Sequence, residues 1–511
     1  MKVTVDGAEV SLADGGTLGD AMTAAGSRYI QGTIVGIIKG RSEKSRETDS
    51  YWLETSKGKL RIELVDPTLH KIWKESLNSF SEKGLEVRWT ASGALAFGTF
   101  PATYAPVRTS QDYEKWEVVL GASGFEADKG QLIFIKKRHS GAYGVPITNR
   151  GVLARVVGGK GTMEELEQGD RILKVDPIVE WEDLTEKMAT DDLSTPLEEG
   201  MEIFTRFEVQ LREEAPRGAE FFLAATRDDV FETDALSSSY VSTHRLHNEP
   251  IIFEHREPRL EGVVTVRSSG RGLGKIFIYK ADRTSNPGHS VVGRVSSGID
   301  LVKLASPGQR LAVKVSPERF MVMGIPLARA LEIARERGLE CQVEGDQGED
   351  AVVVDQSPLN TMDVLREGKV ALKSIPAHRL VSIELFDDQA PKTLDYFRHV
   401  VGLKERPLGP LPVFFVYENT VLFKPVVDAV SYKELLPENK PTAVVPAGAM
   451  AVSNTVSKKT GLVGVKMVDD KRYGPSGEKF EGTNIIGRVI DLDKLKDAKE
   501  GETIYVLEVR K

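Results

Sequence analysis

A single cysteine, Cys341, is all the thiol that this 511-residue chain contains. One thiol cannot close an internal disulfide or supply a cysteine-rich zinc or iron–sulfur site, so any cluster chemistry belongs to a partner. Long hydrophobic runs are also missing, and none approaches the ~18 residues that a membrane-spanning helix needs. The opening residues, Met1-Lys-Val-Thr-Val-Asp-Gly7, alternate as a strand does and hold no apolar signal-peptide core. Nor is there an excess of positive charge: 68 Lys and Arg face 76 Asp and Glu, for a net charge of −8. Counterion release needs clustered basic residues, which excludes a whole-chain grip on nucleic acid. These absences predict a cytoplasmic protein with no membrane or nucleic-acid partner and no cofactor of its own.

What is present points to several packed modules. Apolar residues make up 40% and the 47 glycines add about 9%. The sum lies within the ~45–50% usual for globular chains, enough to bury large cores. At about 150 residues per domain, the length predicts three to four domains.

An internal repeat organises most of the chain. Gly151-Val-Leu-Ala-Arg-Val-Val157, His289-Ser-Val-Val-Gly-Arg-Val295 and Asn484-Ile-Ile-Gly-Arg-Val489 each carry an apolar run and an Arg-Val pair. A glycine-led strand pattern follows each, and the gaps from arginine to glycine (Arg155 to Gly169, Arg294 to Gly308, Arg488 to Gly501) are 14, 14 and 13 residues. Upstream stand Leu60–Leu64, Phe207–Leu211 and Val381–Leu385, alternating as half-buried strands do. The arginines lie 139 residues apart between the first two copies and 194 between the last two, so 55 residues are inserted in the second interval.

That insert runs from about Pro317 to Ser374. It reads as a helix over Pro326–Arg337 ending at Gly338, then strands at Leu339–Val343, Ala351–Asp355 and Lys369–Lys373 with a turn at Ser357-Pro358. The N-terminal segment reads as a hairpin around Asp6-Gly7, a helix capped by Thr17 and a strand at Gly32–Ile38. Strand–strand–helix–strand resembles a β-grasp.

Val381-Ser-Ile-Glu-Leu-Phe-Asp-Asp-Gln-Ala-Pro-Lys-Thr-Leu-Asp-Tyr-Phe397 resembles the opening strand and first helix of cyclophilins. Gly448–Asn454 resembles their strand over the substrate groove, and Glu481–Val489 their closing strand. The insert is similar to a PASTA module. The expected fold is therefore multidomain and mainly β with α+β modules. A β-grasp-like domain (1–58) precedes cyclophilin-like barrels at 59–178 and 202–316, a PASTA-like insert at 317–375 and a third cyclophilin-like barrel at 379–511.

Taken end to end, this order resembles the methanogenesis marker protein 3 family. The resemblance implies a methanogenic or methane-oxidising archaeon. It also implies partnership with methyl-coenzyme M reductase and the proteins that activate it, where ATP-binding and iron–sulfur subunits supply the redox chemistry.

Cyclophilins overcome an isomerisation barrier of about 18–20 kcal/mol, and the resemblance implies an arginine that stabilises the twisted amide above an apolar pocket. The matching stretch here, Leu411–Phe423, contains no arginine, and the family's glutamine and pocket phenylalanine fall on Val463 and Val465. In the third copy Asn454 matches the groove strand. In the second copy His289 matches a pocket-rim histidine, whereas Arg227 comes several residues after the expected position. The expectation is a non-catalytic scaffold, with Phe415, Tyr417, Phe423, Asn454 and His289 as partner contacts. A prolyl isomerase acting on a client is the alternative.

Other candidate sites read as structure. His244-x-x-His247 with His255 is the one histidine cluster, but Pro250 and Ile251–Phe253 separate its members. The stretch reads as a polar loop entering a strand, with no metal. Gly270-Arg-Gly-Leu-Gly-Lys275 lacks the Ser or Thr of a phosphate loop and reads as a hairpin turn before Ile276. Cys341 reads as a small hydrophobe in a strand.

Overall fold

A computed structural model of the chain describes residues 1–40, 43–124, 126–183, 186–417, 419–425 and 435–509. Glu418, in the stretch matched to the cyclophilin groove, lies outside them. The described residues are mainly β. They form two closed barrels, a 13-stranded sheet, smaller sheets of three and two strands, and eight α-helices.

The N-terminal hairpin pairs Lys2–Val5 with Ala8–Ser11. Helix α1 (Leu18–Ala24) begins at a reciprocal cap: the Thr17 hydroxyl accepts from the Asp20 N–H, and the Asp20 carboxylate accepts from the Thr17 N–H. Leu18, Ala21 and Met22 pack on Val3, Val5, Val35 and Ile37. The sheet under this helix is completed from far along the chain. Glu186–Thr190 and Glu202–Phe204 both pair with the strand Thr33–Lys39.

The first barrel is therefore inserted within the N-terminal module, and the expected division at residue 58 does not follow the strand pairing. Glu43–Thr55 belongs to the barrel, lying between Gly58–Leu64 and Arg171–Asp183 and antiparallel to both. The other two copies lack this extra strand, and their matching strands pair directly and in parallel: Phe207–Leu211 with Arg310–Ser316, and Leu380–Leu385 with Thr503–Glu508. Helix α2 (His70–Lys83) fills the first barrel with Trp73 and Phe80, whose rings meet Tyr51 and Phe100 edge-on. Helix α3 (Lys160–Glu165) follows the Arg155 strand.

The second copy carries α4 (Pro216–Ala225) and α5 (Ile299–Leu304). It departs from the expected separate barrel. One strand is split into Val230–Glu232, paired with Arg310–Ala312, and Ala235–Ser237, paired with Tyr240–Thr243. Arg310 and Leu311 also lie beside Thr33 and Ile34, which fuses this copy with the N-terminal module into the 13-stranded sheet.

The insert contains α6 (Leu327–Glu336) and strands Glu340–Gly345, Ala351–Ser357 and Lys369–Pro376, as the sequence predicts. It also contains α7 (Thr361–Glu367), which the sequence reading missed. Cys341 is half-buried against this core, and burial pushes its thiol up. The third copy is a closed barrel with α8 (Pro391–Val400).

The repeat has a concrete geometry. Arg155, Arg294 and Arg488 sit opposite Glu63, Gln210 and Glu384 on the neighbouring strand. Gly159 and Gly298, each four residues after its arginine, share φ 76° and ψ 24° and open α3 and α5. In the third copy that place falls to Asp491, three residues after Arg488, whose carboxylate accepts from the Ser382 N–H at 2.8 Å. The residue missing from the third spacing is lost at this turn.

Candidate functional site

The third barrel holds most of the residues expected to act. Pro391 opens α8, placing Leu394 and Phe397 in the core. A carboxylate from a distant loop caps this helix: Glu438 accepts from the Lys392 and Thr393 N–H groups at 3.1 and 2.9 Å. The second copy repeats the device, with Glu254 accepting from the Arg217 and Gly218 N–H groups at 3.0 and 2.8 Å.

Behind the cap, Asn484 donates to the Thr393 hydroxyl and the Leu436 carbonyl, both at 2.9 Å. Asn454 joins this network. Its Nδ2 donates to Asn484 Oδ1 and to the Glu481 carbonyl, and its Oδ1 accepts from the Val456 N–H. The side chain is completely buried and offers no surface to a partner. Phe423 likewise lies in the barrel core with Val463 and Val465. These two valines, at the positions that the resemblance matches to the cyclophilin glutamine and pocket phenylalanine, are buried in that core.

Phe415 and Tyr417 are placed differently. The strand Leu408–Tyr417 pairs with Thr503–Leu507 through its first half, Leu408–Pro412. Its second half forms a hairpin with Thr420–Phe423. Alternate strand residues face opposite sides, yet Phe414, Phe415, Val416 and Tyr417 are 42%, 44%, 38% and 61% exposed. The hairpin end is therefore apolar on both faces. Phe415 and Tyr417 stack at 6.5 Å, while the ammonium groups of Lys424 and Lys459 sit 5.9 and 5.3 Å from the Phe414 ring. Phe414 and Val416 were not singled out from sequence, although the run Val413-Phe-Phe-Val416 breaks the alternation of a half-buried strand and is the signal that marks them.

His289 belongs to a different place, a cavity wall of the second copy, where it is buried between Thr265 and Arg267. Arg227 does not line that cavity. It sits in the cleft between the second and third copies, near Asp387 and Arg398. The two would-be groove residues are not brought together.

The histidine loop forms no strand at Ile251–Phe253, and Ile252 and Phe253 are exposed. Side chains hold this segment instead of a ladder: the Glu254 and His255 N–H groups donate to the Ser290 hydroxyl. His255 pairs with Glu257, His247 with the Arg271 carbonyl, and His244 with Ser242. Among the described residues no group of three or more His, Cys, Asp or Glu is arranged to hold a metal ion. Likewise, no described helix is long and apolar enough to cross a membrane.

Residues 381–509 match a family described as "Putative peptidyl-prolyl cis-trans isomerase domain". A cyclophilin-type peptidyl-prolyl cis-trans isomerase from Cryptosporidium parvum is similar to 25% of the chain over 98% of its own length, at 14% identity and a TM-score of 0.19. A UPF0288 protein of Methanosarcina barkeri is 42% identical over 100% of this chain and 98% of its own length. One from Methanothermobacter thermautotrophicus is 37% identical over 99% of this chain and 98% of its own. Identity of this extent, end to end, makes the chain a member of the UPF0288 family of methanogenic archaea.

Proposed function

We propose that the chain is a non-catalytic scaffold in the machinery that activates methyl-coenzyme M reductase, binding the reductase and its ATP-binding and iron–sulfur activation partners. The observation that carries this reading is the end of the strand Leu408–Tyr417 in the third barrel, where Phe414, Phe415, Val416 and Tyr417 expose apolar side chains on both faces. Eleven of the 20 exposed large hydrophobic side chains among the described residues lie in residues 379–511, which concentrates sticky surface on one module. Linked modules also raise the effective concentration of each successive contact, the physical advantage of a multidomain scaffold. Full-length relatives in methanogens and the resemblance to methanogenesis marker protein 3 support the choice of partners.

The test is capture of the tagged full chain from anoxic lysate of its host, with mass spectrometry of what is retained. Reductase subunits together with an ATP-binding and an iron–sulfur protein are expected. Phe415→Ser combined with Tyr417→Ser should lose them while leaving thermal unfolding unchanged, because neither ring is in the core. Equal recovery by that variant, or recovery of the chain alone, would overturn the reading.

The match of residues 381–509 favours a second reading, prolyl isomerisation. Against it stands the sequence of residues 408–423, which supplies no arginine, and Asn454, whose amide is spent inside the fold. A proline-peptide assay decides between them: scaffolding predicts the uncatalysed rate.

A further inference from the structure

The cavity beside His289 in the second copy differs in charge from three other clefts among the described residues. Arg259, Arg267, Arg271, Lys275 and Arg283 line it, and no carboxylate does. Those three clefts include carboxylates beside their cations. In the cleft between the second and third copies, Arg398 meets Asp387 and Glu508, and Lys404 meets Glu249 and Asp395. In a chain of net charge −8, five cations without a lining acid are a concentrated positive field.

Two of these arginines are held in place. Arg259 donates from Nε to the Thr284 carbonyl and from Nη1 to the Tyr279 hydroxyl, both at 2.8 Å, and its guanidinium lies 5.1 Å from the Tyr279 ring. Arg267 donates from Nε to the Ser269 carbonyl at 2.9 Å and from Nη1 to His289 Nε2 at 3.1 Å. A guanidinium only donates, so His289 Nε2 is the unprotonated nitrogen. The imidazole proton then sits on Nδ1, 3.0 Å from the Thr265 hydroxyl. His289 is a neutral prop that steadies Arg267 and brings no charge of its own. The Nη2 of each arginine is left without a partner among the described residues, and groups already fixed lose little freedom on binding.

Aromatic rings also line the cavity, packed edge-on against one another. Tyr240 and Phe277 meet at 5.1 Å, Phe277 and His289 at 4.9 Å, and Tyr240 and Tyr279 at 6.2 Å between ring centroids. The cavity encloses about 670 Å³, a size that suits a small molecule.

We propose that this cavity binds a small polyanion, whose phosphate, sulfonate or carboxylate groups meet the five cations while an aromatic body packs against the lining rings. The site is separate from the hairpin of the third barrel and does not depend on the scaffold reading.

The test uses the full chain and the fluorescent aromatic polyanion hydroxypyrene trisulfonate, followed by anisotropy at low salt, with tripolyphosphate as competitor. Saturable binding that weakens with added salt is expected, and tripolyphosphate should compete more weakly than naphthalene trisulfonate, an aromatic polyanion that does not emit at the probe's wavelength. Arg271→Ala combined with Arg283→Ala removes two exposed cations outside the anchoring relay and should weaken binding at least tenfold. Lys471→Ala combined with Arg472→Ala, on the third barrel, should not. No saturable binding, full binding by the first double variant, or equal competition by tripolyphosphate would each overturn the proposal. Displacement by a polyglutamate peptide more effectively than by naphthalene trisulfonate would assign the site to an acidic protein segment and overturn the small ligand.

Discussion

Asn454 and His289 are both held inside the fold by their polar atoms. Asn454→Ala takes a donor from the buried Asn484 Oδ1 and, at the part-buried edge of the network, leaves the Glu481 carbonyl and the Val456 N–H without this partner. That costs about 1–3 kcal/mol, so chemical denaturation should show a less stable third barrel; an unchanged midpoint would contradict the network. His289 carries a pH signature. Burial, with Arg259 and Arg267 adding to it, holds the imidazole down at about 3, against an ordinary 6.5. Between those values the unfolded chain takes up a proton that the folded one refuses, so stability is fully present above 6.5 and drains as pH falls toward 3. The loss approaches roughly 1.4 kcal/mol per pH unit. His289→Gln keeps an acceptor for Arg267 but does not titrate, and its stability should fall less steeply across this window.

Turns and caps show how far local chemistry reaches. Gly159 opens α3 with φ 76°, and a Cβ there would stand 2.3 Å from the Lys59 carbonyl oxygen. The left-handed backbone alone costs an L-residue about 1–2 kcal/mol, so Gly159→Ala should lower the melting temperature of the first barrel by several degrees. Two residues on, a Cβ at Gly161 would meet nothing within 4 Å, and Gly161→Ala should leave stability unchanged or gain up to about 1 kcal/mol. The sequence made such elements legible wherever the signal is local: the Thr17 cap, Pro391 at the first turn of α8, and the Arg-Val strands with their constant spacing. Helix α7 escaped because seven residues after Pro358 give two turns at most, too short for a periodic pattern. The carboxylate caps escaped for the opposite reason. Glu254 stands 37 residues from Arg217, and Glu438 46 from Lys392, separations that no short motif spans.

Across the whole molecule, the joints between modules were the least legible feature. Glu249 of the second copy reaches His399 at 2.7 Å and Lys404 at 2.9 Å in the third. Arg217 grips both carboxylate oxygens of Glu405 at 2.5 and 2.8 Å. Arg319 ties Glu220 to the Glu405 carbonyl, and Glu220 also accepts from Thr361 of the insert. Burial opposes the charge on Lys404, yet Glu249 and Asp395 outweigh it and hold the ammonium above the ordinary lysine range. Such pairs join residues up to 188 apart, and nothing in their neighbours' sequence announces them. The same blindness hid the return of Glu186–Thr190 to the N-terminal sheet.

Lys39 and Glu186 face each other as partners in adjacent antiparallel strands. Seen from the N-terminal sheet, the entire first barrel occupies the tip of a hairpin whose two arms are already in register. Evolution could add or discard such a passenger by one event at one loop, without disturbing a single ladder of its host. Replacing residues 40–185 by Asn-Gly, the dipeptide that favours a two-residue hairpin turn, should accordingly yield a shorter chain that still folds. Its circular dichroism and cooperative melting would report whether the host sheet closes on its own.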